Sequence, residues 1–343
     1  MKTYLPFILA AIFITSCKTE LVYMSVMTPA PVTISPVIKK AGIINRSQAS
    51  EETKNIDAVE QALTLEGPKL DKEGAEASIA GLTDELNNNN RFTKVTAIKT
   101  DLRTTGAGVF PAPLTWDIVD KICKENDVEI LFSLEFFDTD TKITYETRKT
   151  TVRTPLGNIP GIEHQANMQT FVKTGWRIYD PAGRIIVDEY PYTEELTFSG
   201  RGINPVAAAA ALIGRKDAVM QASTNAGHAY ALRIIPTWIR VSRDYYVKGS
   251  DNFKIAKRKA QTGKWDEAAK LWEMETGNPK PKIAGRACYN MAIINEINGD
   301  LDAAIKWAQK AYEDYGNKLA LRYVRILENR KINDSVLKTQ NVQ

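Results

Sequence analysis

Two short stretches near the C-terminus repeat each other and decide the fold of the last third of the chain. Residues 263–269 read GKWDEAA and residues 299–305 read GDLDAAI, so that the glycines and the alanines both recur after 36 residues. A glycine can make the tight turn between two helices, and a small alanine lets two helix backbones approach closely. The spacing therefore predicts two consecutive helix–turn–helix units. Their turn and packing positions are Gly263, Ala268, Gly299 and Ala304.

This repeat resembles the tetratricopeptide family, whose helix–turn–helix unit has a period of about 34 residues. The second copy fits the family better, because Ala292, Ala304 and Ala311 fall at its small-residue positions. The first copy has Lys259 and Glu275 where the family prefers an aromatic residue and an alanine, so its first helix is expected to be irregular. The resemblance implies a groove that takes a peptide or a partner protein.

A capping helix is expected after the second copy, with an apolar stripe and arginines on its outer face over residues 317–327. We therefore predict an all-α tetratricopeptide-like region over residues 249–334 and a disordered tail over residues 335–343. Residues 249–343 contain 17 Lys and Arg against 12 Asp and Glu. This mild excess favours a solvated helical face, and the alternative is a site for an acidic partner.

The N-terminus has the pattern of a lipoprotein export signal. Lys2 supplies a positive charge, residues 4–14 are apolar apart from Pro6, and Ser16 precedes Cys17. About ten apolar residues are too few for a membrane-spanning helix, which needs about 20, and suit the core of a signal peptide. The pattern resembles a bacterial lipobox, in which a peptidase cuts before the cysteine and the thiol carries diacylglycerol. The alternative is an ordinary cleaved signal with a chance cysteine.

Cleavage between Ser16 and Cys17 removes residues 1–16 as a lipoprotein signal peptide and leaves residues 17–33 as a proline-containing tether. No later stretch offers about 18 consecutive apolar residues, so lipid on Cys17 is expected to be the membrane attachment. Residue 18 is a lysine, whereas an aspartate at this position would signal retention in the inner membrane. By resemblance to known sorting rules, Lys18 therefore favours the outer membrane. We expect an outer-membrane lipoprotein of the cell envelope, with the membrane face left open.

Residues 34–248 are expected to form an α/β domain. Strand patterns at residues 34–45 and 92–98 alternate with amphipathic helices at residues 73–86 and 116–123, and several strands follow from residue 128 onward. A short βαβα start followed by antiparallel hairpins predicts an α+β fold, a mixed sheet with helices on one face.

Three local patterns give details of this domain. The apolar run 128–137 and the polar run 142–152 are expected to pair as a hairpin, with its turn at residues 138–141. In the turn at residues 180–183, Pro181 presets its own φ and Gly183 is expected to take a positive φ. Asn204 is an expected N-cap for a long alanine-rich helix that continues to about residue 235.

The order of these elements resembles the small α/β domain of the TolB N-terminal region, of the curli secretion lipoprotein and of lipoprotein activators of penicillin-binding proteins. The stretches WRIYDP at 176–181, AGHAY at 226–230 and PTW at 236–238 are similar to an uncharacterised family of Bacteroidetes-type envelope lipoproteins with C-terminal tetratricopeptide-like repeats. The resemblance to these envelope lipoproteins implies a cellular location and an architecture, without an activity. The resemblance to the TolB, curli and activator domains implies an accessory subunit of a secretion or cell-wall synthesis complex.

Only one motif points to catalysis. Residues 138–141 read DTDT after an apolar strand and match the pattern of haloacid-dehalogenase phosphatases, in which Asp138 would attack phosphorus and Asp140 would handle protons. That family needs a loop leading to a helix at this point, whereas residues 142–152 have a strand pattern. We therefore favour a turn here and keep a phosphohydrolase as an alternative.

Other candidate sites are weaker. The GAG at 106–108 and the GRG at 200–202 lack the spacing of nucleotide-binding loops, although an anion near Arg201 stays an alternative. His164 and His228 have no Cys or carboxylate at metal-ligand spacing, so no metal and no cofactor are expected. Cys123 and Cys288 are expected to be buried, and a disulfide between them is the alternative.

The sequence thus predicts a membrane-anchored binding or scaffold protein without catalytic activity. The net charge of +4 is too small for a dedicated nucleic-acid binder, so no nucleic-acid partner is expected. A protein or peptide partner is expected, and the sequence leaves the oligomeric state open.

Overall fold

A computed structural model describes residues 18–47, 68–102, 110–154 and 157–340. The chain divides into two compact units, which we call the sheet unit and the helical unit. The sheet unit is built on Pro29–Thr237, and the helical unit combines the segment that ends at Thr28 with Trp238–Lys338. Residues 56–65, whose sequence suggests a short helix, lie outside the described residues.

Among the described residues, the sheet unit contains a five-stranded mixed sheet of β2 (Lys40–Asn45), β3 (Lys94–Ile98), β4 (Ile130–Thr154), β5 (Gly157–Asp180) and β6 (Ile185–Gly202). The strand order is β3-β2-β4-β5-β6. Strand β2 pairs in parallel with β3 and β4, and β4, β5 and β6 are antiparallel. The mixed sheet that the sequence predicts is therefore confirmed. The helices are α1 (Pro68–Asn88), α2 (Trp116–Asn126), α3 (Pro205–Ala210) and α4 (Arg215–Ala231).

Helices cover the sheet on one face mainly through α1 and α4. Trp176 of β5 is fully buried there and stacks on Tyr230 of α4, with ring centroids 5.0 Å apart. Successive strand residues point to opposite faces, so Ile43 belongs to this core while Ile44 belongs to a smaller core on the other side. Helix α2 packs into that smaller core on the opposite face, so the predicted placement of helices on one face does not extend to α2.

Helices α1 and α4 cross at very short range. A Cβ on Gly227 would lie 2.0 Å from the backbone oxygen of Ser78, and a Cβ on Gly81 would lie 2.2 Å from that of Thr224. The Ser78 hydroxyl donates to the carbonyl oxygen of Ser223 at 2.7 Å. The crossing therefore requires glycine at both positions.

Strand β4 corrects the predicted hairpin. It runs without interruption from Ile130 to Thr154, so residues 138–141 lie in mid-strand and do not form a turn. The β5–β6 turn is at the predicted place, and the Asp180 carboxylate accepts from the Gly183 backbone N–H at 3.0 Å. The positive φ is at Arg184 (51°), so the prediction for Gly183 is wrong.

The alanine-rich helix begins as predicted but ends early. The Asn204 side chain accepts from the Ala207 N–H at 2.8 Å, which is the expected N-cap. Helix α3 then ends at Ala210, and α4 begins at Arg215 after Gly214 has taken an extended conformation (φ −59°, ψ 140°). The single helix expected to continue to residue 235 is therefore two helices.

In the part of the helical unit that the structure describes, five helices accompany a two-stranded sheet of β1 (Thr19–Thr28) and β7 (Thr237–Tyr246). Residues 19–28, predicted as part of a tether, form β1, because β7 supplies backbone partners that local sequence does not reveal. Helix α9 reaches Thr339, so a disordered tail from residue 335 is wrong for residues 335–339. The helices are α5 (Asp251–Gln261), α6 (Trp265–Glu273), α7 (Pro281–Ile297), α8 (Leu301–Glu313) and α9 (Lys318–Thr339).

Candidate binding surfaces

The repeat residues lie where a helix–turn–helix unit needs them. Gly263 (φ 78°) lies between α5 and α6, and Gly299 (φ 81°) lies between α7 and α8. A Cβ at either glycine would meet nothing within 4 Å, so the backbone conformation alone favours glycine. Ala268 and Ala304 are completely buried in the helical core.

Strand β7 lies across the faces of α7 and α9, the first helix of the second repeat and the capping helix. The side-chain oxygen of Asn290 accepts from the Tyr246 N–H, and its amide group donates to the Tyr246 carbonyl, both at 2.7 Å. The Tyr246 hydroxyl donates to Asn317 at 3.2 Å, and its ring packs edge-on against Tyr289. The chain's own strand therefore covers part of the surface that α7 and α9 present in the repeat region.

A buried ion cluster also connects β7 to α7 and α9. Glu296 of α7 has a fully buried carboxylate that accepts from Arg243 twice and from Arg330 once, each at 2.8 Å. Tyr323 donates its hydroxyl proton to the same carboxylate. Burial alone would raise the pKa of Glu296, but the hydrogen bonds from Arg243 and Tyr323 outweigh it and hold the pKa below the ordinary 4.5. The Glu296 carboxylate is thus already bound by side chains of the same unit, which indicates a structural role.

The sheet unit has a second buried carboxylate, Glu135 of β4. Arg46 contacts it at 2.5 Å, the Tyr179 hydroxyl donates to it at 2.9 Å, and Arg177 lies 3.8 Å away. Arg177 also donates to the Pro111 carbonyl at 2.7 Å. Burial raises the pKa of Glu135. These contacts join β2, β4 and β5 to the segment before α2, so this cluster too is structural.

A cleft of about 1090 Å³ opens on the helical unit beside the start of β1, the segment joining β7 to α5, and the residues before α7. We call it the basic cleft, because five cationic residues line it against two acidic ones. Glu20 is held by an ion pair with Lys257 and by the Tyr245 hydroxyl at 3.1 Å, and Asp251 pairs with Lys254 at 2.9 Å. The cationic residues are Lys248, Lys254, Lys257, Arg258 and Lys280.

The far half of the β4–β5 pair forms an exposed arm, which we define as residues 142–154 of β4 and 157–167 of β5. One face of the arm is apolar: Ile143 is 65% exposed, Ile162 is 64% exposed, and Tyr145 stacks on His164. The opposite face is polar, and on it Arg148 pairs with Glu146 at 2.9 Å.

Two further exposed apolar residues directly follow β6 in the chain. Ile203 and Val206, just after β6, are 88% and 78% exposed. Beyond Leu134, no strand among the described residues pairs with the second edge of β4. The alternation of apolar and polar residues over 142–146 is the sequence signal for this surface, although sequence reasoning took the run for an ordinary hairpin strand.

The proposed catalytic pair lies on a regular strand. Asp138 and Asp140 share one face of β4, and the Asp138 carboxylate contacts the Lys173 ammonium at 3.1 Å. Thr139, on the other face, donates to Asp71 at 2.7 Å. Because the strand continues to Thr154, the loop and following helix that the dehalogenase pattern needs do not follow these aspartates.

The glycines of the GRG stretch serve packing. A Cβ on Gly200 would lie 2.3 Å from the Ala208 oxygen, and one on Gly202 would lie 2.5 Å from the Ala208 nitrogen. Their bare backbone thus lets α3 pack onto β6. Arg201 lies 3.9 Å from the Glu163 carboxylate, which partly neutralises its charge for any anion.

The described histidines and cysteines belong to no cluster of candidate metal ligands. The Nδ1 of His228 contacts Glu85 at 3.1 Å, and the described residues contain no group of three or more His, Cys, Asp or Glu that could hold a metal ion. Cys123 and Cys288 are buried free thiols, so the structure does not contain the disulfide kept as an alternative. Burial raises the pKa of each thiol to about 11.

Two sets of predicted residues lie outside the described part of the chain. They are the cleavage and lipidation residues Ser16 and Cys17, and the GAG at 106–108. Across the residues that the structure does describe, no helix combines the length and apolar character needed to cross a membrane.

Comparisons with known proteins match most of the chain to two families. A model described as Domain of unknown function (DUF8603) matches residues 38–246, and one described as Domain of unknown function (DUF6340) matches residues 254–329. No curated protein matches the chain.

Solved structures give distant similarities. The PelC dodecamer from Paraburkholderia phytofirmans is 9% identical, with a TM-score of 0.25, over 63% of this chain and 98% of that chain. A neuraminyllactose-binding hemagglutinin homolog from Helicobacter pylori is 8% identical, with a TM-score of 0.20, over 56% of this chain and 81% of that chain.

Proposed function

We propose that this chain, which belongs to the family described as Domain of unknown function (DUF8603), is a lipid-anchored envelope protein that binds a protein partner and carries out no catalysis. The anchor is lipid on Cys17, after cleavage that follows Ser16. The observation that carries the binding role is the apolar face of the arm, at Ile143, Tyr145 and Ile162.

The arm suits a partner for two physical reasons. Large apolar side chains grouped on an exposed face lose contact with water when a partner covers them, which favours association. The second edge of β4 also offers backbone N–H and C=O groups, which an extended partner segment can pair by strand addition. We therefore place the partner on the arm, because β7 already covers faces of α7 and α9.

A photo-crosslinking amino acid at Ile162 is expected to capture a partner in intact envelopes. Ile162 lies on the apolar face, so a bound partner brings its atoms within reach of the probe. The measurement is a shifted band after irradiation, identified by mass spectrometry.

Glu163 is the matched control position. It is the next residue, and it faces the polar side of the arm. We expect adducts at Ile162 and few at Glu163. Equal yields at both positions, or no adduct at Ile143 and Ile162, would count against the arm as the partner surface.

A further inference from the structure

We infer that the basic cleft of the helical unit lies against anionic lipid head groups of the membrane to which Cys17 attaches the chain. This inference rests on the proposed lipid anchor for its orientation. It adds a ligand, which is a phospholipid surface, and a binding site for it in the cleft. The proposed partner on the arm uses neither.

The first argument is the position of the chain's N-terminal segment. The Lys18 carbonyl accepts from the Val247 N–H at 3.1 Å, and Val247, Thr19 and Glu20 all line the cleft. Neighbouring residues in a chain are about 3.8 Å apart from Cα to Cα. A lipid on the preceding residue is therefore attached within one residue of a segment that borders the cleft. Because residues 19–28 form a strand, no long tether separates the anchor from this surface.

The second argument is charge. Both acidic residues of the cleft already have cationic partners, Glu20 in Lys257 and Asp251 in Lys254. Arg258 and Lys280 are exposed, and neither has an acidic partner within 4 Å among the described residues. The surplus charge is therefore positive, and it complements the phosphate groups of an anionic bilayer.

The nearby lipid attachment and the surplus positive charge together favour a membrane surface over a soluble anion as the ligand. A surface tied to a bilayer by a nearby lipid meets head groups at high effective concentration, so several modest contacts can act together. The cleft is wide and open to solvent, which suits a layer of head groups with many phosphates.

The test uses the mature chain, residues 17–343, with Cys17→Ser, so that no lipid can attach. The probe is sedimentation with vesicles of phosphatidylcholine, made with or without phosphatidylglycerol. We expect binding to the vesicles that contain phosphatidylglycerol, weakened by high salt, and none to phosphatidylcholine alone. Failure to bind the anionic vesicles overturns the inference.

Charge reversal locates the binding. The triple variant Lys254→Glu, Arg258→Glu, Lys280→Glu is expected to bind anionic vesicles at least about tenfold more weakly. The control triple Lys306→Glu, Lys318→Glu, Arg322→Glu makes the same change in net charge at exposed positions of α8 and α9 and is expected to keep most of the binding. An equal loss in both triples would show a general charge effect and overturn the inference.

Two further outcomes separate the sources of anion and the two proposals. If the lipid-free chain binds inorganic phosphate in the absence of vesicles at least as tightly as it binds the phosphatidylglycerol vesicles, the cleft is a site for a soluble anion and the inference is wrong. Because the protein in this test carries no lipid, a negative result bears on the cleft alone, whereas the anchor is tested by lipid labelling of Cys17.

Discussion

The substitution Glu296→Gln is expected to lower the free energy of unfolding of the helical unit by about 3 kcal/mol, because it leaves the charges of Arg243 and Arg330 without their buried carboxylate. Urea unfolding of the full chain, followed by circular dichroism, measures the loss. Asp302→Asn is the matched control, since Asp302 pairs with Lys331 on the exposed surface and should matter little. Equal effects of the two variants would contradict a structural role for the Glu296 cluster.

The same variant gives a pH dependence with a defined sign. The pKa of Glu296 in the folded chain lies below its ordinary value of 4.5. Its ionised form therefore stabilises the fold at pH values above the ordinary pKa, and this contribution is lost as the pH falls through the lower folded pKa. The difference in stability between wild type and Glu296→Gln should be constant near neutral pH and shrink in acid. A difference that grows in acid would show that the sign is wrong.

The substitution Gly227→Ala is expected to destabilise the sheet unit by about 2 kcal/mol. Alanine favours a helix over glycine by about 1 kcal/mol, but here its Cβ would lie 2.0 Å from the Ser78 backbone oxygen, and α1 and α4 would have to separate. Thermal unfolding of the full chain measures the change.

Gly277→Ala serves as the control for this prediction. A Cβ there meets nothing within 4 Å, so the substitution should be neutral or slightly stabilising. If Gly227→Ala proved as harmless as Gly277→Ala, the close crossing of α1 and α4 would be wrong.

Local signals predicted much of the fold. The turn glycines Gly263 and Gly299 could be found because a positive φ between two helices is a property of a few neighbouring residues. The Asn204 cap is equally local. The alternation of strands and helices up to α2 also gave the mixed sheet, since each element carries its own periodicity.

Elements that depend on distant partners were missed. Residues 138–141 have turn-forming side chains, yet pairing with residues 170–173 of β5 holds them in a continuous strand. Strand β1 forms because β7, more than 200 residues later, supplies its hydrogen-bonding partner. No local pattern in residues 19–28 reports such a partner.

The candidate binding surfaces likewise combine features that local sequence predicts with features that depend on distant residues. The repeat and its packing alanines were visible in the sequence, whereas the cover of α7 and α9 by β7 depends on contacts such as Asn290 with Tyr246, which are 44 residues apart. The basic cleft likewise collects Lys248, Arg258 and Lys280 from separate segments. Only the folded chain shows that these side chains share a surface.

The most direct test of the central claim, a lipid-anchored binding protein, is labelling of the full chain with radioactive palmitate in a bacterial host. We predict that wild type takes up label, that Cys17→Ala takes up none, and that Cys123→Ala and Cys288→Ala, which alter buried thiols, keep it. Label that is absent from wild type, or that persists in Cys17→Ala, would contradict the account.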